Sequence, residues 1–206
     1  MKLDLNKAKE EQNRLAKEVI VRDEFDKVKY IGGTYQLCTD DKIISVIVVM
    51  EFPGLKFLES KYTIEKIEMP FVSGYRSYRE MPYILKTFEK LTQRPDLLIV
   101  DGHGLSHPRR FGIASHLGIA LDLPTIGVAN KLILGDVKAG KVYIGNDHCG
   151  LELKTKETAN PIYVSPGHKV SMGASLRMVR DTIILPHKMP EPLHVAHKFA
   201  VKLKKR

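Results

Sequence analysis

The chain has 206 residues and a formal net charge of +9, with 33 lysines and arginines against 24 acidic residues. That length fits one domain spanning 1–206 with a substantial core, and no apolar run is long enough to cross a bilayer, so a helical membrane protein is excluded. The basic excess favours polyanionic partners, nucleic acid first, and part of it forms a basic C-terminal tail from about 198, with Lys198, Lys202, Lys204, Lys205 and Arg206.

Met1-Lys2-Leu3-Asp4 opens directly into charged, helix-forming sequence, from which no secretory signal is expected. Residues 4–21 predict an amphipathic helix with Leu5, Ala8, Gln12, Leu15, Ala16 and Val19 on the face that packs against a sheet. Asp23 and Asp26 close it into a loop. Three strand signals follow. Val28–Cys38 is the first, with Gly32-Gly33 marking a bend or a close backbone approach. Ile43–Met50 is the clearest, and a third lies within 55–69, marked by Ile64, Ile67 and Met69. The short turns at Asp40-Asp41 and Pro53-Gly54 predict an antiparallel meander. Pro70–Arg79 reads as a loop with three aromatics and two arginines. Such a loop either stacks on bases and holds phosphates or anchors itself to the core. Pro82 suits the first turn of the next helix, which puts Glu80 at the helix entrance on a site rim and Leu85, Phe88 and Leu91 on the core face.

Leu97–Val100 is a continuous apolar run that reads as a strand buried on both faces. It ends on Asp101, and Gly102 and Gly104 then allow a sharp turn. Pro108 predicts the start of a helix that runs to about Leu121 and is bounded by Pro124. Thr125–Ala129 is a second buried strand, giving a parallel βαβ unit with Asn130 and Lys131 on the same edge as Asp101. Ligands collect at that edge, so Asp101, His103 and His107 are candidates for chemistry, although an Asp after a strand also serves simply as a turn former. A dinucleotide-binding reading fails because His107 takes the place of the third glycine. A zinc reading of His103 and His107 is weakened by Gly104 and Pro108, which oppose a helix through both. Beyond lie a hairpin within 138–158 containing Val142–Ile144, a short strand Ile162–Val164 and a helix around Ser171–Arg180. An extended passage through Pro186, Pro190 and Pro192 leads to a final helix with His194 and His197. Cys38 and Cys149 form no CxxC pair and read as free thiols of a reducing, cytoplasmic setting. The fold class is α/β: a mixed sheet, an antiparallel meander followed by parallel strands, with helices on both faces.

The stretch Val100-Asp101-Gly102-His103-Gly104, continuing through His107-Pro108-Arg109-Arg110 to Gly112-Ile113-Ala114-Ser115-His116, resembles the signature of the endonuclease V family, which has a ribonuclease H-like fold. The likeness extends through Asp122–Ala129, Tyr163–His168, Pro190-Glu191-Pro192 with Ala196-His197, and upstream through Tyr78-Arg79-Glu80 with Pro82. It spans about Gln12 to His197. The resemblance implies hydrolysis of a phosphodiester bond one nucleotide beyond inosine in DNA or RNA, with Mg²⁺ or Mn²⁺ as cofactor. Carboxylates would hold the ion, which activates water and neutralises developing charge. By the same resemblance Asp101 and Glu80 are metal ligands, His107 lies beside the scissile phosphate, and His197 is a further site histidine. Phe71, in Pro70-Phe71-Val72-Ser73, takes the place of the wedge that enters the strand where a base is displaced. Gly102 and Gly127 would approach the flipped base, and Arg76, Gly104 and Lys131 are further expected nucleic-acid contacts. The expected partner is DNA or RNA carrying a deaminated base, and the expected state is a monomer.

Three positions depart from the family pattern. Tyr35 stands where a metal-ligand Asp is expected, and a neutral phenol is a poor Mg²⁺ ligand. Asn130 replaces a Lys, and the neighbouring Lys131 would point the other way at a strand end. The Tyr75-Arg76 pair replaces a small apolar residue of the base pocket. One reading is a nuclease in which Glu80, Asp101 and phosphate oxygens hold a single ion. A second is a protein that binds nucleic acid without cleaving it, its pocket remade by Arg76 and Tyr35. A third is action on a different modified base.

Overall fold

The computed structural model describes residues 3–205, so Met1, Lys2 and Arg206 of the opening and the tail lie outside the described residues. Among the described residues nine strands form one sheet in the order β3-β2-β1-β4-β5-β9-β8-β7-β6. These are β1 (Tyr30–Cys38), β2 (Lys42–Glu51), β3 (Phe57–Lys66), β4 (Leu97–Asp101), β5 (Thr125–Ala129), β6 (Asp136–Lys138), β7 (Lys141–Ile144), β8 (Asp147–Leu153) and β9 (Ile162–His168). The expected meander is β1–β2–β3, antiparallel throughout. β4 pairs in parallel with both β1 and β5, and helix α3 (Ile113–Leu121) connects β4 to β5 as the expected crossover. β9 returns antiparallel to β5.

Alternation along the central strands divides the core in two, because side chains on a strand alternate between faces. Val46, Val48, Leu97 and Ile99 face one way and pack with Met178 and Val179 of α4 (Met172–Asp181) and Leu193, Ala196 and Ala200 of α5 (Glu191–Lys204). Ile47, Val49, Leu98 and Val100 face the other way and pack with Ile84 and Phe88 of α2 (Arg76–Glu89) and with α3. Gly33 is a close approach rather than a bend: a Cβ there would lie 2.4 Å from the Pro192 carbonyl carbon, so only glycine lets α5 seat on β1.

Several expectations need correction. The first helix, α1 (Leu5–Leu15), ends in a 3₁₀ turn over Ala16–Glu18 and docks on the start of α2 rather than on a sheet. The Tyr78 hydroxyl donates to the Ala8 carbonyl at 2.9 Å, and the Gln12 amide to the Gly74 carbonyl at 3.2 Å. β3 is an edge strand. Its expected marker Ile64 is exposed, Ile67 and Met69 lie beyond it, and Thr63 is the residue it buries. α2 starts at Arg76, inside the expected loop, which puts Pro82 in the helix and not in its first turn. Glu80 is therefore buried one turn into α2, only 3% exposed, and is not on a rim. Pro108 starts no helix. It occupies the second position of a turn closed by the Arg110 N–H donating to the His107 carbonyl at 2.8 Å, a position proline suits equally well. β9 continues through Ser165–His168, and Pro192 belongs to the first turn of α5 rather than to the extended passage. Residues 198–204 of the basic tail form the end of α5. Cys38 and Cys149 are both free, as expected. Among the described residues no helix is long and apolar enough to cross a membrane.

Candidate functional site

Asp101 is the last residue of β4, and the β1–β4 register pairs Thr34 with Val100, so Tyr35 and Asp101 follow side by side at the carboxyl edge of the parallel strands. Tyr35, Asp101, Asn130 and His197 line one cavity of about 180 Å³ at that edge. The Tyr35 ring meets the His197 ring edge-on, centroids 4.9 Å apart. Burial, reinforced by the charge of Asp101, raises the Tyr35 pKa, so its phenol stays neutral.

Glu80 reaches the site from the opposite direction, through α2. The structure does bring Glu80 and Asp101 together, but a guanidinium lies between them. Arg76 Nε donates to Glu80 Oε2 at 2.8 Å, and Arg76 Nη2 donates to Asp101 Oδ2 at 3.0 Å. Burial opposes the charge on Arg76, but the two carboxylates more than offset it and hold the guanidinium cationic. Burial likewise pushes the Glu80 carboxyl up, opposed by Arg76. The Arg76–Glu80 pair has i,i+4 spacing in the first turns of α2.

These residues do not fit a divalent cation. Mg²⁺ is held through one or two ionised carboxylates together with waters and phosphate oxygens, and it needs those carboxylates facing it with no other cation in its place. Here each of the two carboxylates gives an oxygen to the same cation, the third candidate is a neutral phenol, and no group of three or more His, Cys, Asp or Glu among the described residues is placed to hold a metal.

On the other side of Arg76 lies a second cavity of about 250 Å³, lined by Phe71, Arg76, His103, Phe111, Ile113 and Ile133 among others. Its rim residue Phe71 is 59% exposed, with the Arg79 guanidinium 6.0 Å from the ring centroid. A clamp on one carbonyl fixes the rim. Gly74, at φ +77°, offers its carbonyl to Arg109 Nη2 at 2.6 Å, His107 Nε2 at 3.1 Å and the Gln12 amide. His107 Nδ1 accepts from the Arg109 N–H at 3.3 Å, so both ring nitrogens are occupied and the imidazole pegs the rim. Burial, aided by Arg109, lowers its pKa to about 4. Arg109 also pairs with Gln12 across 97 residues, a contact with no local signal in the sequence.

The glycines serve the scaffold. A Cβ on Gly104 would lie 2.0 Å from the Pro166 carbonyl oxygen, and one on Gly127 would lie 2.5 Å from the Gly104 nitrogen, so neither position has room for a side chain. Gly102, at φ +149°, gives its N–H to the Val128 carbonyl, and a Cβ there would strike Ile113. Lys131 is exposed, and its carbonyl bonds the His103 ring at 2.8 Å. Beside Asn130 stands an ammonium the sequence did not point to: Lys188 Nζ donates to Asn130 Oδ1 at 2.8 Å.

The sequence matches the endonuclease V family over residues 13–198. It is 41% identical to the endonuclease V of Dictyoglomus thermophilum over 199 residues, 93% of this chain and 87% of that one. It is 37% identical to that of Rippkaea orientalis, covering 95% and 90%. The fold superposes on the catalytic domain of human endonuclease V with a TM-score of 0.87 at 28% identity, covering 98% and 96%. It superposes on Ciona intestinalis endonuclease V, in complex with a 24mer DNA containing an inosine followed by a ribo-adenosine, with a TM-score of 0.89 at 27% identity, covering 98% of each chain.

Proposed function

Because the chain belongs to the endonuclease V family, we propose that it binds DNA or RNA by taking a deaminated purine, extruded from its stack, into the cavity between Phe71 and Ile113, and that it holds the strand without cutting it. The observation that carries this reading is the Arg76 guanidinium. It lines the cavity while two of its nitrogens are fixed by carboxylates, and among the described residues Nη1 makes no protein hydrogen bond. Such a fixed donor suits a base edge with O6 and N7 acceptors, as in hypoxanthine or guanine, and not the N6 amine of adenine. A weakly paired hypoxanthine is also cheaper to extrude than a paired guanine. Phe71, exposed on the rim, is suited to fill the vacated stack. Lys188, held beside Asn130, is suited to meet a backbone phosphate. Hydrolysis aided by Mg²⁺ or Mn²⁺ is not carried over, since the carboxylates that would hold the ion are already paired.

The test is fluorescence anisotropy with single- and double-stranded DNA and RNA carrying one inosine, guanosine or adenosine at the same position, with EDTA present. Inosine is expected to bind at least about tenfold tighter than adenosine in the preferred strand type. Equal affinity for the two, or cleavage of the inosine strand once Mg²⁺ or Mn²⁺ is supplied, overturns the reading.

A further inference from the structure

We propose that Arg76 is a built-in cation occupying the place between Glu80 and Asp101 that a divalent ion would need, and that Arg76 and Tyr35 together keep this chain from binding Mg²⁺ or Mn²⁺. The inference concerns the carboxylate side of the partition and stands apart from what the base cavity accepts.

Three observations carry it. First, the guanidinium meets Glu80 and Asp101 through two different nitrogens, at 2.8 and 3.0 Å, so it is fixed by both and cannot release one carboxylate without breaking a charge-assisted bond to a buried group. Second, Arg76 comes from the same helical face as Glu80, one turn before it, and Asp101 is the end of a buried strand. The bridge therefore joins rigid elements and is not a surface contact free to swing away. Third, Tyr35 lines the same cavity as Asp101 and presents an uncharged ring packed on His197. A hard divalent ion entering here would find one cation in place, one neutral aromatic wall, and two carboxylates each already giving an oxygen to a donor. A guanidinium cannot be deprotonated to make room, because its own pKa is above any working pH.

The arrangement also says how a cation site could be made. Removing the guanidinium frees both carboxylates. A carboxylate at position 35 would face Asp101 across adjacent strands, since the pair follows directly after the Thr34–Val100 register. Neither change alone supplies both conditions.

The experiment measures Mn²⁺ binding to the full chain with no nucleic acid present, by titration calorimetry and by the loss of the free-ion Mn²⁺ resonance. Wild type is compared with Arg76→Leu, Tyr35→Asp and the Tyr35→Asp/Arg76→Leu pair. The pair Tyr35→Asp/Arg76→Gln, which keeps an amide donor beside Glu80, guards against failure to fold, and circular dichroism reports the fold of each. Wild type is expected to show no saturable binding tighter than about 10 mM, while the folded double variant takes up one ion at least about 100-fold tighter. One Mn²⁺ bound by wild type as tightly as by the double variants overturns the proposal. So does a folded double variant with no gain over wild type. The absence of cutting in the proposed function rests on this same exclusion, but with no oligonucleotide present the Mn²⁺ titration can fail while the preference for inosine stands, and the preference can fail while the titration stands.

Discussion

Substituting Arg76→Leu tests how the site is held together before any ligand is considered. Each carboxylate lies against the guanidinium at hydrogen-bond distance, with Glu80 side-chain exposure of 5% and Arg76 of 29%. At charge separations of about 4 Å and an effective dielectric of about 20, each pair attracts by about 4 kcal/mol. Desolvation offsets much of that, and losing one partner of a buried pair typically costs about 3–5 kcal/mol because the other charge is stranded. Glu80 is the stranded group. Urea unfolding of Arg76→Leu at pH 7 should therefore show a loss of about 3 kcal/mol, and Glu80→Gln in that background should recover much of it. The full double-mutant cycle should give a coupling energy of about 2 kcal/mol or more. The pH dependence follows from the sign of the shift. Without Arg76, burial raises the Glu80 pKa in the folded state still further above its unfolded value. A raised carboxyl contributes stability that is complete below the unfolded pKa of about 4.3 and is lost as pH rises through the folded pKa. The deficit relative to wild type should thus shrink on acidification and grow toward pH 7. A deficit that is flat with pH, or a cycle additive within about 0.5 kcal/mol, refutes the buried bridge.

Phe71→Ala should weaken binding of an inosine oligonucleotide by about 1–3 kcal/mol, measured by anisotropy. Its urea midpoint should be unchanged, because the ring is 59% exposed. His107, held near pKa 4 by burial and Arg109, is neutral in the fold while an unfolded histidine protonates near 6.5. Its contribution is present above pH 6.5 and is lost as pH falls toward 4, by about 1.4 kcal/mol per unit. His107→Asn should therefore lose about 3 kcal/mol less than wild type between pH 7 and 4 in urea unfolding. Lys188→Ala should weaken binding equally for inosine and adenosine strands and reduce the slope of log affinity against log salt by about 1; a change in base preference would remove Lys188 from the phosphate.

The strands were legible because buried runs such as Ile43–Met50 and Leu97–Val100 carry a signal within a few residues, and the crossover between β4 and β5 follows from strand–helix–strand spacing alone. Gly32-Gly33 was legible as a bend or a close approach, but not which of the two, nor that Pro192 is what approaches Gly33. The helix starts were not. Proline is compatible with a first helical turn and with a tight turn, so Pro108 was misplaced. Pro82 hid the fact that α2 already runs from Arg76, directly after a turn in which the Tyr75 N–H donates to the Val72 carbonyl. Misplacing that start by a turn moved Glu80 from the interior to a rim and concealed the contact that matters most.

The same limit explains the cations. The sequence marks positions 35, 76 and 130 as departures, but it does not say which side chain fills the space each departure leaves. Arg76 answers for the carboxylate pair because α2 carries it to within 3.0 Å of a strand end 25 residues away. Lys188 answers for Asn130 across 58 residues, because the passage before α5 folds back over the end of β5. In both cases a positive charge is present where the scaffold needs one, delivered from a position no local pattern selects. A charge fixed by protein hydrogen bonds, unlike a bound ion, is not lost to a chelator. If these two side chains carry the site's electrostatics, nucleic-acid affinity should be the same in EDTA as in Mg²⁺ at matched ionic strength. A marked gain on adding Mg²⁺ would mean that the built-in cations are not sufficient.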